Sequence, residues 1–287
     1  MNDIIVVNKD KDYTSRDVVN IIGKIFNTKK VGHTGTLDPL ATGVLVICMG
    51  KSLKVVDLIT SSTKEYIATV ILGINTDTLD ITGKILNQDK TNVTKDEVKK
   101  VLNTFKGKSI QEVPKYSAVK VNGKKLYEYA RNNIEVTLPK RQIEVYDIEL
   151  LSDIEVIKGY QEFTFKVSVS KGTYIRSLIR DIGKELGTYA CMKELKRTKQ
   201  GKFDIDTSYT LENIKNGNYK LINIKDAIDI EKVIVSDELL SKIKNGCILD
   251  KFFKTDKALI IDKQGNEVGI YKTYEKDKTT AKPDKIF

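Results

Sequence analysis

Residues 32–43, GHTGTLDPLATG, combine a carboxylate with the residue types that hold a loop in one shape. The glycines permit backbone conformations that other residues avoid, and they let a ligand approach the main chain closely. Pro39 follows Asp38 directly and biases that aspartate toward an extended backbone. A carboxylate on a rigid loop before an apolar strand is typical of a catalytic group, and it is equally typical of a turn with a helix-capping aspartate. The spacing therefore indicates a site without defining its chemistry.

The chain is basic, with 49 Lys and Arg against 39 Asp and Glu and a formal net charge of +10 over 287 residues. Positive charge favours a polyanionic partner, because neutralised phosphates release condensed counterions. Solubility alone would also account for it. A hydrophobic fraction of 40% is enough for a sizeable core, which excludes wholesale disorder. The length fits one large domain, with or without a small second one.

Metal clusters and disulfide frameworks are not expected. Cys48, Cys191 and Cys247 lie far apart and His33 is the single histidine, whereas structural zinc sites need closely spaced Cys and His ligands. Unpaired cysteines fit a reducing cytosol. The chain does not open with a basic region and a long apolar stretch, and the apolar run at residues 44–49 is too short to cross a bilayer. We therefore expect a cytoplasmic protein with no membrane association.

Hydrophobic periodicity predicts the elements that must position the loop. Buried or half-buried strands are predicted at residues 4–7, 44–49, 65–72, 117–121, 142–151 and 163–169, with loops at 32–43 and 73–83 and a turn at 122–123. Helices are predicted after a cap at Thr14 or Ser15, from Thr94 through Phe105 behind a capping box with Glu97, and over residues 174–186 before Gly187.

The order of these elements is rich in hairpins and lacks a βαβ alternation, which argues against a doubly wound sheet. We predict an α+β fold with a large mixed, mainly antiparallel sheet. Near residue 229 the pattern changes to short strands and turns, as in LIIDKQGNEVGIYKTY. We therefore expect a catalytic-size domain over residues 1–228 and a small all-β module over residues 229–287.

Residues 31–55, VGHTGTLDPLATGVLVICMGKSLKV, closely resemble the signature of the TruB-type tRNA pseudouridine synthases. Four further segments resemble later motifs of that family in the expected order, namely KEYIATVILGINTDTLDITG, PKYSAVKVNGKKLYEYAR, VSVSKGTYIRSLIRDIGKEL and MKELKRTKQGKF. The tail is similar to the small PUA module. The resemblance covers nearly the whole chain, and it implies a pseudouridine-synthase catalytic domain followed by a PUA-like RNA-binding domain.

The resemblance implies roles residue by residue. Asp38 matches the essential aspartate, and Arg176 matches the arginine that pairs with it. Tyr66 matches the tyrosine that stacks on the target base and is a candidate for removing its C5 proton. Tyr174 and Leu195 match pocket residues that contact the base or its sugar.

His33 matches the residue that fills the space left by the flipped nucleotide. The implied reaction is isomerisation of the T-loop uridine, position 55 of tRNA, to pseudouridine. The implied partner is the T-arm of tRNA, with no cofactor, no metal and no obligate protein partner, and the implied state is a monomer.

Each role has an ordinary alternative. A guanidinium beside a carboxylate favours its charged form. The ordinary alternative for Arg176 is a surface ion pair with Asp181 or Glu185. Without the resemblance, Tyr66 would be a half-buried strand aromatic, and Leu195 would be plain core.

The turn after the first strand departs from the family pattern. The family has Lys-Pro-x-Gly-x-Thr-Ser, whereas residues 9–15 read KDKDYTS, so Asp10 and Asp12 replace the proline and the glycine. From this replacement we do not expect the usual turn geometry, nor any RNA contact that depends on it. Basic residues group near the site and are expected to follow RNA phosphates, and these are Lys29, Lys30, Lys193, Lys196, Arg197, Lys199 and Lys202.

Three other functions fit parts of the pattern. Metal-dependent phosphodiester chemistry would use Asp38, Asp77, Asp80 and Asp181, provided that these carboxylates converge. A non-catalytic role in RNA binding or tRNA folding is compatible with the same surface. A guide-RNA-dependent relative is less favoured, because the chain has no long basic extension for partner proteins.

Overall fold

The computed structural model describes residues 2–287. Within this range the helices are α1 Ser15–Ile25, α2 Val56–Thr60, α3 Lys95–Thr104, α4 Leu126–Arg131, α5 Ile175–Glu185, α6 Leu211–Lys215, α7 Ile224–Ala227 and α8 Asp237–Lys244. The strands are β1 Ile4–Lys9, β2 Val31–His33, β3 Thr42–Met49, β4 Lys64–Leu72, β5 Ile74–Thr76, β6 Ile85–Gln88, β7 Gly107–Glu112, β8 Lys120–Val121, β9 Lys124–Lys125, β10 Lys140–Leu150, β11 Glu155–Ile157, β12 Tyr160–Val169, β13 Ala190–Gln200, β14 Phe203–Asp204, β15 Glu231–Ile234, β16 Leu249–Asp250, β17 Lys257–Ile261, β18 Glu267–Tyr274 and β19 Asp277–Ile286.

A large sheet carries the first two-thirds of the chain. Its strand order is β1-β3-β13-β4-β12-β10-β7, with β2, β11 and β14 pairing to single neighbours. Every pairing in it is antiparallel except the short parallel contact of β13 with β3. The predicted α+β class with a mixed, mainly antiparallel sheet is therefore confirmed. Strand β13 lies between β3 and β4, which brings residues from distant parts of the chain together.

Strands β1 and β3 are buried on both faces. Ile5 and Val7 of β1 join the main core together with helices α1 and α5. On the opposite face Ile4 and Val6 join a second cluster that includes Leu259 of β17. Because both faces are covered, these strands read as continuous apolar runs in the sequence.

A second sheet is built from the last 57 residues of the chain, in the strand order β15-β17-β18-β19-β16. It packs against β1 and β3 through the second cluster, which also contains Ile261 and Ile270. Lys285 adds an ion pair to Asp57, with 2.6 Å between Nζ and Oδ1. The back of the large sheet and the C-terminal sheet therefore share one buried interface.

The predicted helix starts are confirmed by their caps. Thr14 and Thr94 accept hydrogen bonds from the main-chain N–H groups of Asp17 and Glu97, and each receives a reciprocal contact from the carboxylate. Such a capping box satisfies two of the N–H groups that a helix start leaves unpaired. Helix α5 ends before Gly187, whose φ of +73° is a conformation that glycine adopts without strain.

Three local predictions were wrong in part. The predicted strand at residues 117–121 is reduced to the two residues of β8, paired with β9 across the turn at Asn122 and Gly123. Residues 73–83 are not entirely loop, because β5 pairs with β6. Residues 31–33 form strand β2 against β3. In each case strand pairing decided which residues are extended, and local periodicity does not report such pairing.

The unusual turn at residues 9–15 forms in spite of its two aspartates. Asp12 occupies the left-handed region with a φ of +70°, at the position where the family has glycine. Its N–H donates to the carbonyl of Pro39 at 2.8 Å. Aspartate tolerates this conformation better than most residues but at a cost. The turn therefore contacts the loop that carries Asp38 at the expense of backbone strain.

Replacing Asp12 with glycine should raise the free energy of unfolding by about 0.5–1 kcal/mol. Relief of the left-handed conformation stabilises the folded state by about 1–2 kcal/mol. The extra flexibility of glycine in the unfolded chain offsets about 0.5–1 kcal/mol of this gain. Asp12→Ala is the matched control, because it removes the same carboxylate and keeps the strain. Urea unfolding midpoints measure both variants. A glycine variant no more stable than the alanine variant would show that the strain is negligible.

Candidate active site

A cavity of about 450 Å³ opens at the centre of the large sheet, where the loop before β3 meets β4, β13 and the start of α5. Its walls include Asp38, Tyr66, Tyr174, Arg176 and Leu195. The fold therefore brings together all of the predicted catalytic residues and two of the three further substrate-binding residues.

Asp38 and Arg176 form an ion pair in this cavity, with 3.0 Å between Oδ2 and Nη2. Arg176 is 6% exposed, whereas the Asp38 side chain is 38% exposed. The guanidinium also donates to the carbonyl oxygens of Thr78, at 2.9 Å, and Tyr116, at 3.0 Å. The two carbonyls thus hold the guanidinium of Arg176 in place. The guanidinium in turn binds one carboxylate oxygen of Asp38, and the carboxylate stays accessible to a ligand. The alternative surface pairing of Arg176 with Asp181 or Glu185 is not present.

Asp80 is a second carboxylate next to Arg176, with 3.8 Å between Oδ2 and Nη1. Its other oxygen, Oδ1, accepts hydrogen bonds from Thr78 and Thr82. Leu79, between Thr78 and Asp80, has a φ of +64°, which is a strained conformation for a leucine. Backbone strain of this kind is retained where surrounding contacts hold it, often at functional sites. The sequence placed Asp80 only in a polar loop or in a metal site, so its position behind the arginine was missed.

Tyr66 and Leu195 form the apolar wall of the cavity. Tyr66 is 7% exposed on β4, and Leu195 is 8% exposed on the adjacent strand β13. Tyr174 precedes α5, and its main chain is held on both sides by the Gln111 amide, at 2.8 Å to its N–H and 3.1 Å to its carbonyl. Flat and aliphatic surfaces of this kind suit the faces of a planar ring.

The loop that carries Asp38 is held by side chains on three elements. The hydroxyl of Ser15 exchanges hydrogen bonds with the N–H and the carbonyl of Leu37, at 2.9 and 3.0 Å. The buried ammonium of Lys9 donates to the carbonyl of Pro39 at 3.3 Å. Burial lowers the pKa of Lys9 to about 8, although the carboxylates of Asp10, Asp12 and Asp38 act to raise it.

Arg197 of β13 is a further support for this loop. It is 1% exposed, and its guanidinium donates to the carbonyls of Val44, at 2.7 Å, and Gly35, at 3.0 Å. Gly43 has a φ of +98°, and a Cβ there would collide with the main chain of Arg197. The parallel contact between β3 and β13 therefore requires glycine at this position.

Comparison with known proteins identifies the family to which the chain belongs. The model of the TruB family of pseudouridylate synthases, N-terminal domain, matches residues 23–175. The chain belongs to the TruB family. A second model, the C-terminal domain of tRNA pseudouridylate synthase B, matches residues 176–240.

Similar TruB-family proteins span the whole chain. It is 45% identical to a tRNA pseudouridine synthase B of Staphylococcus saprophyticus over 100% of this chain and 99% of that protein. It is 46% identical to a tRNA pseudouridine synthase B of Clostridium tetani over 97% of this chain and 93% of that protein. The structure resembles that of an H/ACA ribonucleoprotein bound to a substrate RNA containing 2'-deoxyuridine, with a TM-score of 0.73 and 26% identity over 99% of this chain and 84% of the other.

His33 does not line the cavity of this TruB-family chain. It lies on β2, opposite Ile47 of β3 and five residues before Asp38. Its Nδ1 is buried and has no hydrogen-bond partner within residues 2–287. Burial, followed by the charges of Arg197 and Arg16, lowers the pKa of His33. The imidazole is therefore neutral at physiological pH.

The basic cluster on β13 differs from the prediction in one residue. Arg197 is buried and binds main-chain carbonyls, so the prediction that it follows phosphates was wrong. Lys193, Lys199 and Lys202 form ion pairs with Glu162, Asp204 and Asp229. The pairs of Lys199 and Lys202 lie at the surface and are weak, so these two lysines remain able to exchange a carboxylate for a phosphate. The pair of Lys193 is held by Glu162, whose side chain is only 8% exposed.

The carboxylates of the metal-dependent alternative do not converge. Asp181 pairs with Arg180 on α5, and Asp77 accepts a hydrogen bond from the Tyr116 hydroxyl. In the part of the chain that the structure describes, no group of three or more His, Cys, Asp or Glu side chains could hold a metal ion. Across the same residues, no helix is long and apolar enough to cross a membrane.

Proposed function

We propose that this protein is a tRNA pseudouridine synthase that isomerises the T-loop uridine, position 55 of tRNA, with Asp38 as its catalytic carboxylate. The observation that supports this most strongly is the contact between Asp38 and the buried Arg176 in the cavity lined by Tyr66 and Leu195. The family membership and the names of the two relatives, both tRNA pseudouridine synthase B, support the same substrate.

The reaction is an isomerisation with no net change in composition. Asp38 attacks the target nucleotide or removes a proton from its sugar, and the glycosidic bond from C1' to N1 breaks. The freed uracil rotates between Tyr66 and Leu195 and rejoins the sugar through C5. The C5 proton then leaves, with Tyr66 as the candidate acceptor, and N1 gains a proton. Arg176 holds the carboxylate, and Tyr174 contacts the base or its sugar.

Substrate recognition requires the target base to leave its loop, because bases stacked in a T-loop hairpin are inaccessible. We propose that the protein binds the T-arm as a monomer in the cytoplasm, without an obligate protein partner, a metal or a cofactor. Residues 1–228 would supply the catalytic domain and residues 229–287 a PUA-like RNA-binding domain.

The direct test is incubation of the purified protein with unmodified tRNA transcripts, followed by mapping of pseudouridine along the RNA. We expect modification at position 55 that continues in EDTA once the RNA is folded. A transcript whose position 55 carries cytidine is the control. Absence of pseudouridine from every uridine would reject the proposed function, and modification at another position would reject the specificity.

His33→Ala should slow the modification of intact tRNA more than that of an isolated T-arm minihelix. A ring that enters the space left by the flipped nucleotide offsets part of the unstacking cost, which is about a few kcal/mol. A loosened minihelix needs less unstacking, so it should depend less on His33. Single-turnover rates of both proteins on both RNAs measure this difference. Equal losses on the two RNAs would assign His33 a structural role only.

A further inference from the structure

Three cations at the cavity have no carboxylate partner among residues 2–287. Asp38 is the only acidic residue among those that line the cavity, and it is paired with Arg176. Lys64, Lys171 and Arg197 line the same cavity, and none of them forms an ion pair within residues 2–287. The wall formed by these three residues, here called the cation wall, therefore carries an unbalanced positive charge.

Lys64 is the best-defined member of the cation wall. It begins β4 two residues before Tyr66, so both side chains lie on the same face of the strand. The side chain is 7% exposed, and Nζ donates to the carbonyls of Thr60 and Ser62, at 2.7 Å each. An ammonium group has three N–H donors. One donor is left for a ligand in the cavity.

The charges of the cation wall repel one another. Burial, and then the charges of Arg197 and Lys171, lower the pKa of Lys64 to about 8. Arg197 is fixed by the carbonyls of Val44, at 2.7 Å, and Gly35, at 3.0 Å. Buried charges without an opposite charge are costly, and an anion that enters the cavity removes part of that cost.

We propose that Lys64 and Lys171 form a binding site for one phosphate next to the target nucleotide of the RNA, while the buried Arg197 adds positive charge behind them without contacting the phosphate. This inference rests on the proposed function, because a flipped nucleotide brings its two flanking phosphates to the mouth of the cavity. Lys171 is exposed, lies in the loop between β12 and α5 and lines the cavity. The site recognises backbone charge and not base identity.

A simpler role for Lys64 is to bind the last carbonyls of α2, where a cation is favourable. That role predicts a loss of stability without a change in RNA recognition. The two roles are therefore distinguished by a binding measurement that reports individual phosphates.

The test uses T-arm RNAs in which one phosphate at a time, on either side of the target uridine, is replaced by a neutral methylphosphonate. For the wild-type protein, one of the two replacements should weaken binding about tenfold, the size of one lost contact to a charged group. In Lys64→Gln and Lys171→Gln the same replacement should cause little further loss, because the contact is already missing. Each variant should also lower the slope of log affinity against log salt by about 0.7.

Lys100→Gln is the matched control. Lys100 is an exposed lysine on α3 and takes no part in the cavity, so its replacement should leave the methylphosphonate effect intact. Lys64→Arg keeps the charge and should retain most of the binding. Should Lys64→Gln fail to fold, Lys171→Gln decides the result, because its side chain is exposed. The inference would be overturned if each variant and each methylphosphonate reduced the binding affinity independently, so that the two losses multiply in every combination. This outcome would count against the phosphate site even if the wild-type protein modifies tRNA normally.

Discussion

Replacement of Asp38 with asparagine should abolish pseudouridine formation while leaving the affinity for tRNA almost unchanged. The amide keeps the size of the side chain and can still accept a hydrogen bond from Arg176, now 3.0 Å from Oδ2. It cannot attack the nucleotide or remove a proton. We expect the single-turnover rate to fall by more than about 10⁴-fold, the scale on which loss of a catalytic nucleophile acts.

Asp181→Asn is the matched control for this experiment. Asp181 is also an aspartate near an arginine, but it pairs with Arg180 on α5 and does not line the cavity. Its replacement should leave the rate unchanged. Retention of more than a few per cent of activity in Asp38→Asn would reject the catalytic assignment. A variant that is inactive in modification yet still promotes tRNA folding would show that the protein has a second, non-catalytic role.

Arg176→Lys should lower the single-turnover rate by about 10²–10³-fold, the scale associated with loss of one donor that stabilises charge in an active site. A lysine keeps the positive charge, but it cannot reach Asp38 and the carbonyls of Thr78 and Tyr116 with a planar fork. Arg176→Ala should in addition destabilise the fold by about 3–5 kcal/mol, because Asp80 is left buried without its opposite charge.

Rates at saturating enzyme, tRNA dissociation constants and melting temperatures separate these effects. Arg180→Lys is the control, since Arg180 lies one helical turn further along α5 and pairs with Glu112 outside the cavity. An unchanged single-turnover rate in Arg176→Lys, with normal stability, would show that the ion pair has no part in the chemistry.

Local signals in the sequence predict much of the fold correctly. Capping boxes and apolar spacing locate α1 and α3 to within a residue or two, because both depend on neighbours in the sequence. The alternation of Phe163 and Phe165 predicts the strand β12 in the same way. The strand predicted at residues 117–121 is too long, because only Lys120 and Val121 pair with β9.

In the candidate site, too, some residues were identified from the sequence and others only from the folded chain. The resemblance to TruB enzymes selected Asp38, Tyr66 and Arg176, and the fold places all three in one cavity. Arg197 was assigned to the surface because an arginine among lysines has the composition of an RNA-binding face. Its burial depends on β13 lying next to β3, a pairing across about 150 residues of sequence that only the folded chain reveals.

Because β13 lies between β3 and β4, the cavity cannot be complete until β13 has been synthesised. The loop with Asp38 and the strand with Tyr66 leave the ribosome early, but Leu195 and Arg197 arrive more than 120 residues later. Pairings between distant segments form slowly and late. A nascent chain shorter than about 200 residues therefore holds an unclosed sheet edge where the cavity will be. The cavity is complete only when that edge is filled, because Leu195 and Arg197 of β13 line it.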